Sequence, residues 1–359
     1  MRAIDIDKAQ PGMVLAKSIY AADGRPLLRE GTALTERYLT ALKSMKFGFV
    51  YVVDPRAPEA RPRDTISDEL RQEAIGVIRD TFGVLEGNGA SKIGVQLNAV
   101  AQVSRQIVEA ILASRDVSIQ MADLKSHDSY TFAHCVNVCV LGTILGQRIG
   151  LDESRLRDLA LGLILHDIGK IGIPREILEK PGKLTEPEFD QMKEHCRIGF
   201  DTMRGLASLS AQAKIVALQH HEKFDGTGYP KGLQGDDIHI NAQIGAITDV
   251  FDALTSDRVY RKRFMPHEAI EYLMAAAGTQ FSLDLVTTFV ANVAPYPPGT
   301  LLKLSTGETA IVIDVDMGLA SRPIVKIVQD TKGQPLEFAR IFDLKRDRTV
   351  MIAKVLTDA

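Results

Sequence analysis

The sequence predicts a mainly α-helical protein, with a small α+β module at its N-terminus and a small β appendage at its C-terminus. Three observations carry this. Residues 116–295 read as a succession of capped and punctuated helices, residues 1–55 alternate apolar and polar positions around one helical stretch, and residues 296–359 read as short strands and turns. Residues 56–115 join the first two as a linker followed by helices. At 359 residues the chain has room for two or three units and a sizeable core.

In the N-terminal module the alternation turns at Asp23 and Gly24, helical spacing follows in LTERYLTALKSM, and FGFVYVV supplies a strand. The module is too short for a phosphoacceptor receiver domain. DPRAPEARPRD from Asp54 reads as an exposed linker with solvated charges. Helical periodicity from Ser67 to Ala113 is interrupted by FGVLEGNGASKIG, which fits neither GxGxxG nor GxxxxGK[ST] and is expected to be a flexible loop.

In the central region Leu156, Leu159, Ala160, Leu163 and Ile164 form one apolar helix face that ends in HDIGK and is closed by Gly172 and Pro174. A capping box, Thr185-x-x-Glu188, opens a helix expected to run as one piece through Phe189, Met192, Cys196, Phe200 and Met203, with His195 beside its buried stripe. The helix QIGAITDVFDAL sets Asp249 among Ile244, Ile247, Val250 and Leu254, where an acid needs a partner. Pro295, Pro297 and Pro298 end the helical region, and TLLKLSTGETAIVIDVD and PIVKIVQD read as strands around a TGE turn.

Composition narrows the function. With 43 Lys and Arg against 46 Asp and Glu, the net charge of −3 gives no global field for a nucleic acid polymer or an anionic membrane, so any anion site is local. No apolar run approaches the ~20 residues of a membrane span, and no signal segment is visible. Cys135, Cys139 and Cys196 form no CxxC and cannot all pair, which fits a reducing compartment and a cytoplasmic protein.

Five of the eight histidines, His134, His166, His195, His220 and His221, fall in the helical region. Adjacent side chains on a helix point ~100° apart, so an HD or HH pair is expected to reach two neighbouring ions rather than chelate one. That suggests a dinuclear site, and imidazole with carboxylate suits Fe, Mn, Zn, Co or Ni. His127, His239 and His267 stand outside the pattern as surface or capping residues, and Cys135 and Cys139 read as buried helix thiols.

HDIGK followed by HHEKFDGTGYP resembles the HD-GYP family of bacterial phosphodiesterases, over roughly residues 116–295. ILEKPGKLTEPEFDQMKEH and DVFDALTSDRVYRK resemble the family as well. The resemblance implies an HD-domain helical bundle that hydrolyses cyclic di-GMP to linear pGpG, and by a second cut to GMP, in second-messenger signalling. It implies two divalent ions, iron or manganese: His134, His166, Asp167 and Asp249 at one, His195, His220 and His221 at the other, and Asp167 bridging. Lys170 is expected at the scissile phosphate, where it balances charge or protonates the leaving oxygen; its other reading is a cation meeting a helix dipole. Arg258 and Arg261 are expected on substrate phosphates, with Arg261 standing where the family commonly has lysine; a solvated basic face is the alternative for Arg261. Family members with three metals carry a glutamate where this chain has Tyr130, so two are expected. Gly228, Tyr229 and Pro230 are expected to shape the site and meet signalling partners, and the N-terminal module is a second candidate surface for them. Competing readings are a cyclic-dinucleotide receptor without turnover and an HD phosphohydrolase acting on another nucleotide.

Overall fold

The computed structural model describes residues 1–356 except 22–23, 46, 88–92, 115–129, 207 and 257–262, and omits the side chains of Tyr130, Met317 and Glu337. The described chain divides into two compact units, one built from residues 1–64 and 291–359, the other from residues 65–117 and 130–290.

In the first unit, β1 (Arg2–Asp5) pairs antiparallel with β4 (Phe49–Val52), and β2 (Ile19–Tyr20) with β3 (Pro26–Leu28). Helix α1 (Glu36–Ser44) starts where the Thr35 hydroxyl accepts from the Tyr38 N–H, and buries Leu39 and Leu42 against Ile4, Leu15, Ile19 and Val50. Of the expected turn, Asp23 lies outside the described residues and Gly24 takes a left-handed φ of 82°. The C-terminal strands β5 (Leu301–Leu304), β6 (Thr309–Asp314), β7 (Ile324–Gln329), β8 (Pro335–Asp343) and β9 (Ile352–Leu356) form an antiparallel sheet in the order β8-β7-β6-β5-β9. The TGE turn joins β5 to β6 through left-handed Gly307.

The segment from Asp54 is only in part the exposed linker its composition suggests: Pro55, Pro58, Glu59, Arg61, Arg63 and Asp64 are exposed, but Asp54, Ala57 and Ala60 are buried. One face of the sheet buries Leu302, Leu304, Val312, Val325 and Ile327, while Leu301, Ile311 and Val328 on the other face are covered by Ala57 and Ala60. Two successive turns, Ala57 N–H to Asp54 C=O and Ala60 N–H to Ala57 C=O, set these alanines on the apolar surface. Asp54 is buried and gripped by the Arg56 guanidinium at 3.0 and 2.8 Å. Apolar area left over by the sheet decides this, and charge counting does not see it.

The second unit is helical. It comprises α2 (Asp68–Glu86), α3 (Ile93–Ala113), α4 (Tyr130–Arg148), α5 (Glu153–Ile164), α6 (Arg175–Leu178), α7 (Glu186–Lys193), α8 (His195–Arg204), α9 (Ala211–Gln219), α10 (Ile240–Thr255), α11 (Pro266–Ala275) and α12 (Leu283–Ala291). All five residues of the predicted α5 stripe are buried, and α5 packs against α3, α4 and α9. The insert expected as a loop is helical at both ends, residues 82–86 closing α2 with Phe82 buried and Ile93 and Gly94 opening α3, and its residues 88–92 lie outside the described residues. His239 caps α10, its Nδ1 accepting from the Asn241 N–H at 3.2 Å, and His127 lies outside the described residues. No helix among the described residues is long and apolar enough to cross a membrane.

The helix opened by Thr185 is two helices. It breaks at Glu194, where the His195 ring is bonded to the Met192 carbonyl at 2.6 Å. The stripe therefore splits: α7 buries nothing and leaves Phe189 exposed, whereas α8 buries His195, Cys196, Gly199 and Met203.

Candidate metal centre

The HD pair sits just past the end of α5, in the turn leading to a 3-10 segment over Ile168–Gly172. Gly169 explains why this turn tolerates no side chain: a Cβ there would collide with the His195 carbonyl and the Gly199 N–H on α8. Backbone contact thus brings Asp167 and Lys170 against the start of α8. His134 comes from α4, His220 is the C-cap of α9 with His221 next to it, and Asp249 lies on α10. These elements meet at the cluster because α4 packs on α5 and α10, and α9 on α5, α8 and α10.

Four histidines present one ring nitrogen each toward Asp167. Their other nitrogens are committed: His166 Nδ1 to the Leu163 carbonyl (2.8 Å), His195 Nδ1 to the Met192 carbonyl (2.6 Å), His220 Nδ1 to the Val216 carbonyl (3.0 Å), and His134 Nδ1 to Asp252 Oδ2 (2.7 Å). The Nε2 atoms of His134, His166, His195 and His220 then stand 3.8, 3.3, 3.6 and 4.0 Å from the Asp167 carboxylate. His134 Nε2 is 3.1 Å from Asp249 Oδ1, and His221 Nδ1 is 4.0 Å from Asp249 Oδ2. Lys170 Nζ donates to Asp167 Oδ2 at 2.5 Å.

Electrostatics divides the cluster. Burial disfavours a charged His134, but hydrogen bonds to Asp249 and Asp252 overrule it and raise the ring to about 9. Burial likewise opposes the charge on Asp167, which Lys170 and His166 nonetheless hold well below the carboxylate range; for Asp249, His134 does the same. On the other side burial dominates. It lowers His195, takes His221 down to about 3, and with its histidine neighbours drives His220 well below the usual range. The Lys170 ammonium is kept charged against its own desolvation by Asp167.

The donor set suits divalent cations. His166 Nε2 is buried without a well-directed hydrogen-bond partner among the described residues, a costly state that a metal ion relieves. Ligand atoms of His134, His166 and Asp167 lie within 4.8 Å of one another, as do those of His195, Cys196, His220 and His221. The HD and HH pairs each fall within one of these groups, contrary to the expectation that neighbouring side chains diverge by ~100°. Both pairs stand in turns beyond helix ends, where helical geometry no longer applies.

Some expected residues are placed elsewhere or not at all. Tyr229 stacks beside His221, ring centroids 4.9 Å apart, and Gly228 packs so closely on Glu222 and Lys223 that a Cβ would strike their backbone. Pro230 is exposed in the same loop, which is pinned by the buried Glu222 carboxylate accepting from the Lys231 and Leu233 N–H groups at 2.7 and 3.0 Å. Arg258 and Arg261 lie outside the described residues, as does the Tyr130 side chain. Sequence reasoning missed Asp252, which also accepts from Asn137 Nδ2 at 2.8 Å, while Asn137 accepts from Arg71 at 2.6 Å. The signal was present for two of these: Asp252 and Asn137 each stand three residues past a candidate ligand, on the same helix face.

A bundle that gathers an HD turn, three further histidines and a helix-borne aspartate around one buried carboxylate defines an HD-domain protein. Residues 107–285 match the HD domain family, and residues 301–359 match a KOW domain associated with HD domain. The chain is 33% identical over 286 residues to a cyclic di-GMP phosphodiesterase of Pseudomonas aeruginosa, covering 79% of this chain and 69% of the relative. It is 33% identical over 233 residues to a cyclic di-GMP phosphodiesterase response regulator of Xanthomonas campestris pv. campestris, covering 64% of this chain and 58% of the relative. Among solved structures, an HDG"Y"P protein from Bdellovibrio bacteriovorus shares the fold with a TM-score of 0.50 at 18% identity, covering 80% of this chain and 97% of that one. The chain belongs to the HD-GYP family of HD-domain proteins.

Proposed function

We propose that the protein is a metal-dependent phosphodiesterase that opens cyclic di-GMP to linear pGpG and by a second cut releases GMP. The observation that carries this is the convergence of four buried imidazole nitrogens on Asp167, each ring oriented by a bond at its other nitrogen. The names of the relatives at 33% identity supply the substrate.

His134, His166, Asp167 and Asp249 would hold one divalent ion and His195, His220 and His221 a second, iron or manganese, with Asp167 shared. Bound there, such ions supply Lewis acidity toward a phosphodiester and ease the deprotonation of an attacking water. The chain's own residues do the rest. Asp252 and the backbone carbonyls fix the tautomers of the rings, and Asp167 and Asp249 supply the negative charge that two cations require. The protonated Lys170, partly exposed beside Asp167, delivers its proton to the 3′ oxygen as the P–O bond breaks, so the products are a 5′-phosphate and a 3′-hydroxyl. Arg258 and Arg261 bind the phosphates, and Gly228, Tyr229 and Pro230 together with the N-terminal module offer surfaces to other signalling proteins. The compartment this reading assigns is the cytoplasm, in keeping with three free cysteines.

Incubation of cyclic di-GMP with protein reconstituted anaerobically with Fe(II) or Mn(II), followed by anion-exchange chromatography, tests the reading. Product from the intact protein and none from Asp167→Ala is expected. Protein with two verified ions and no product sinks it; tight binding without turnover then indicates a receptor, and turnover of 3′3′-cyclic GMP-AMP alone a different substrate.

A further inference from the structure

The His195 side of the cluster contains a donor that the seven-residue ligand set leaves out. Cys196 follows His195 at the start of α8, and its thiol is fully buried. Its Sγ lies 3.5 Å from His195 Nε2, and His195 Nε2 lies 3.3 Å from His220 Nε2. The ligand atoms of His195, Cys196, His220 and His221 all fall within 4.8 Å of one another. A tetrahedral ion bound at about 2.0 Å to nitrogen and about 2.3 Å to sulfur spaces two nitrogens about 3.3 Å apart and a nitrogen and a sulfur about 3.5 Å apart. Both edges are already present in the chain.

We propose that Cys196 is a metal ligand, making this half of the cluster a position of one cysteine and three histidines for a soft tetrahedral ion, zinc or cobalt. The inference rests on the reading of the cluster as a metal centre and adds a donor to it. On binding, the thiol gives up its proton to solvent and the sulfur donates to the ion as thiolate. Four protein ligands then complete a tetrahedron and leave that ion no open position, the arrangement of a structural zinc site. Harder ions such as Mn(II) prefer the Asp167 carboxylate and water to sulfur and leave Cys196 protonated. Cys196 thus makes the centre sort metals: zinc is held tightly in a closed form, and harder ions in an open one.

Titration of the metal-free full chain with Co(II), followed by absorbance, tests this. Expected are the visible bands of tetrahedral cobalt together with a thiolate-to-cobalt charge-transfer band in the near ultraviolet. Cys196→Ser removes the charge-transfer band and weakens zinc binding by more than the ~10- to 100-fold typical of losing a ligand's supporting partner. Cys139→Ser keeps the band, since that thiol bonds the Ala160 carbonyl. Cobalt that binds the unaltered protein without a charge-transfer band overturns the inference and leaves the metal centre standing, and this measurement does not depend on any variant folding. A band that persists in Cys196→Ser also overturns it. Absence of any bound cobalt removes the metal-centre reading itself, and the inference with it.

Discussion

The two halves of the cluster are held by different chemistry. Around His134 the supporting groups are ionic: Asp249 and Asp252 flank the ring, and Asp252 is itself held by Asn137, which is held by Arg71. Around His195 and His220 the rings are supported by backbone carbonyls of α7 and α9, and the carboxylate they face among the described residues is the shared Asp167. The consequence is opposite protonation. With no ion bound, the first half holds a proton on His134 and the second holds neutral rings, so an ion enters the second half without displacing a ring proton and must displace one to enter the first.

The sharpest separation between holding metal and doing chemistry is expected at Lys170. It bonds Asp167 but reaches toward solvent, so Lys170→Met should lower kcat by about 10²- to 10⁴-fold while elemental analysis still finds both ions. Loss of metal in this variant would instead make Lys170 a counter-charge needed to assemble the centre. Next comes Asp252→Asn, which acts on one half alone. It should weaken metal binding there by about 10- to 100-fold, so that at limiting metal the content falls toward one ion per chain while the His195 half stays loaded. Equal loss from both halves would erase the distinction.

How far the sequence reveals this depends on distance along the chain. The α5 stripe, the HD turn at its end and the cap at Thr185 are local patterns of spacing, and each appears as expected or nearly so. The break at Glu194 accompanies a ring bond from His195 to Met192, which is local, and the close approach of Gly169, which is not; periodicity encodes neither. Arg71 lies 66 residues from the asparagine it bonds, beyond any motif. The Asp54 segment misleads for the same reason, since the apolar sheet face it covers is built from residues beyond 300.

A pH series on chelated protein probes both halves at once, with opposite signs. His134, raised to about 9, adds stability that is complete below the ordinary histidine value near 6.5 and is lost as the pH rises through about 9. His195, His220 and His221 are lowered, so the unfolded chain takes up their protons first, and stability falls as the pH drops from about 6.5 toward 3. Thermal unfolding should therefore show an acid-side decline that His221→Gln reduces and an alkaline-side decline that His134→Gln reduces. The same slope change from both variants would mean that the halves titrate as one.

The smallest effect is expected at the cap that begins α7. Glu188 accepts from the Thr185 N–H and hydroxyl at 2.7 and 2.9 Å, and from Lys180 at 2.8 and 2.5 Å. The Lys180 hydrogen bond first, and the Thr185 bonds after it, lower the carboxyl to about 2, so its contribution is present above the ordinary value near 4.5 and disappears as the pH falls through about 2. Glu188→Gln should lower the melting temperature slightly at neutral pH. It should leave the metal content unchanged, although α7 supplies the Met192 carbonyl that orients His195. The reason is that His195 is also fixed from the other side, by the α8 backbone lying against Gly169. Loss of metal from the His195 half alone would show that the carbonyl of a surface helix, rather than that backbone crossing, sets the ring, and the half whose rings are oriented by backbone carbonyls would then be the more fragile of the two.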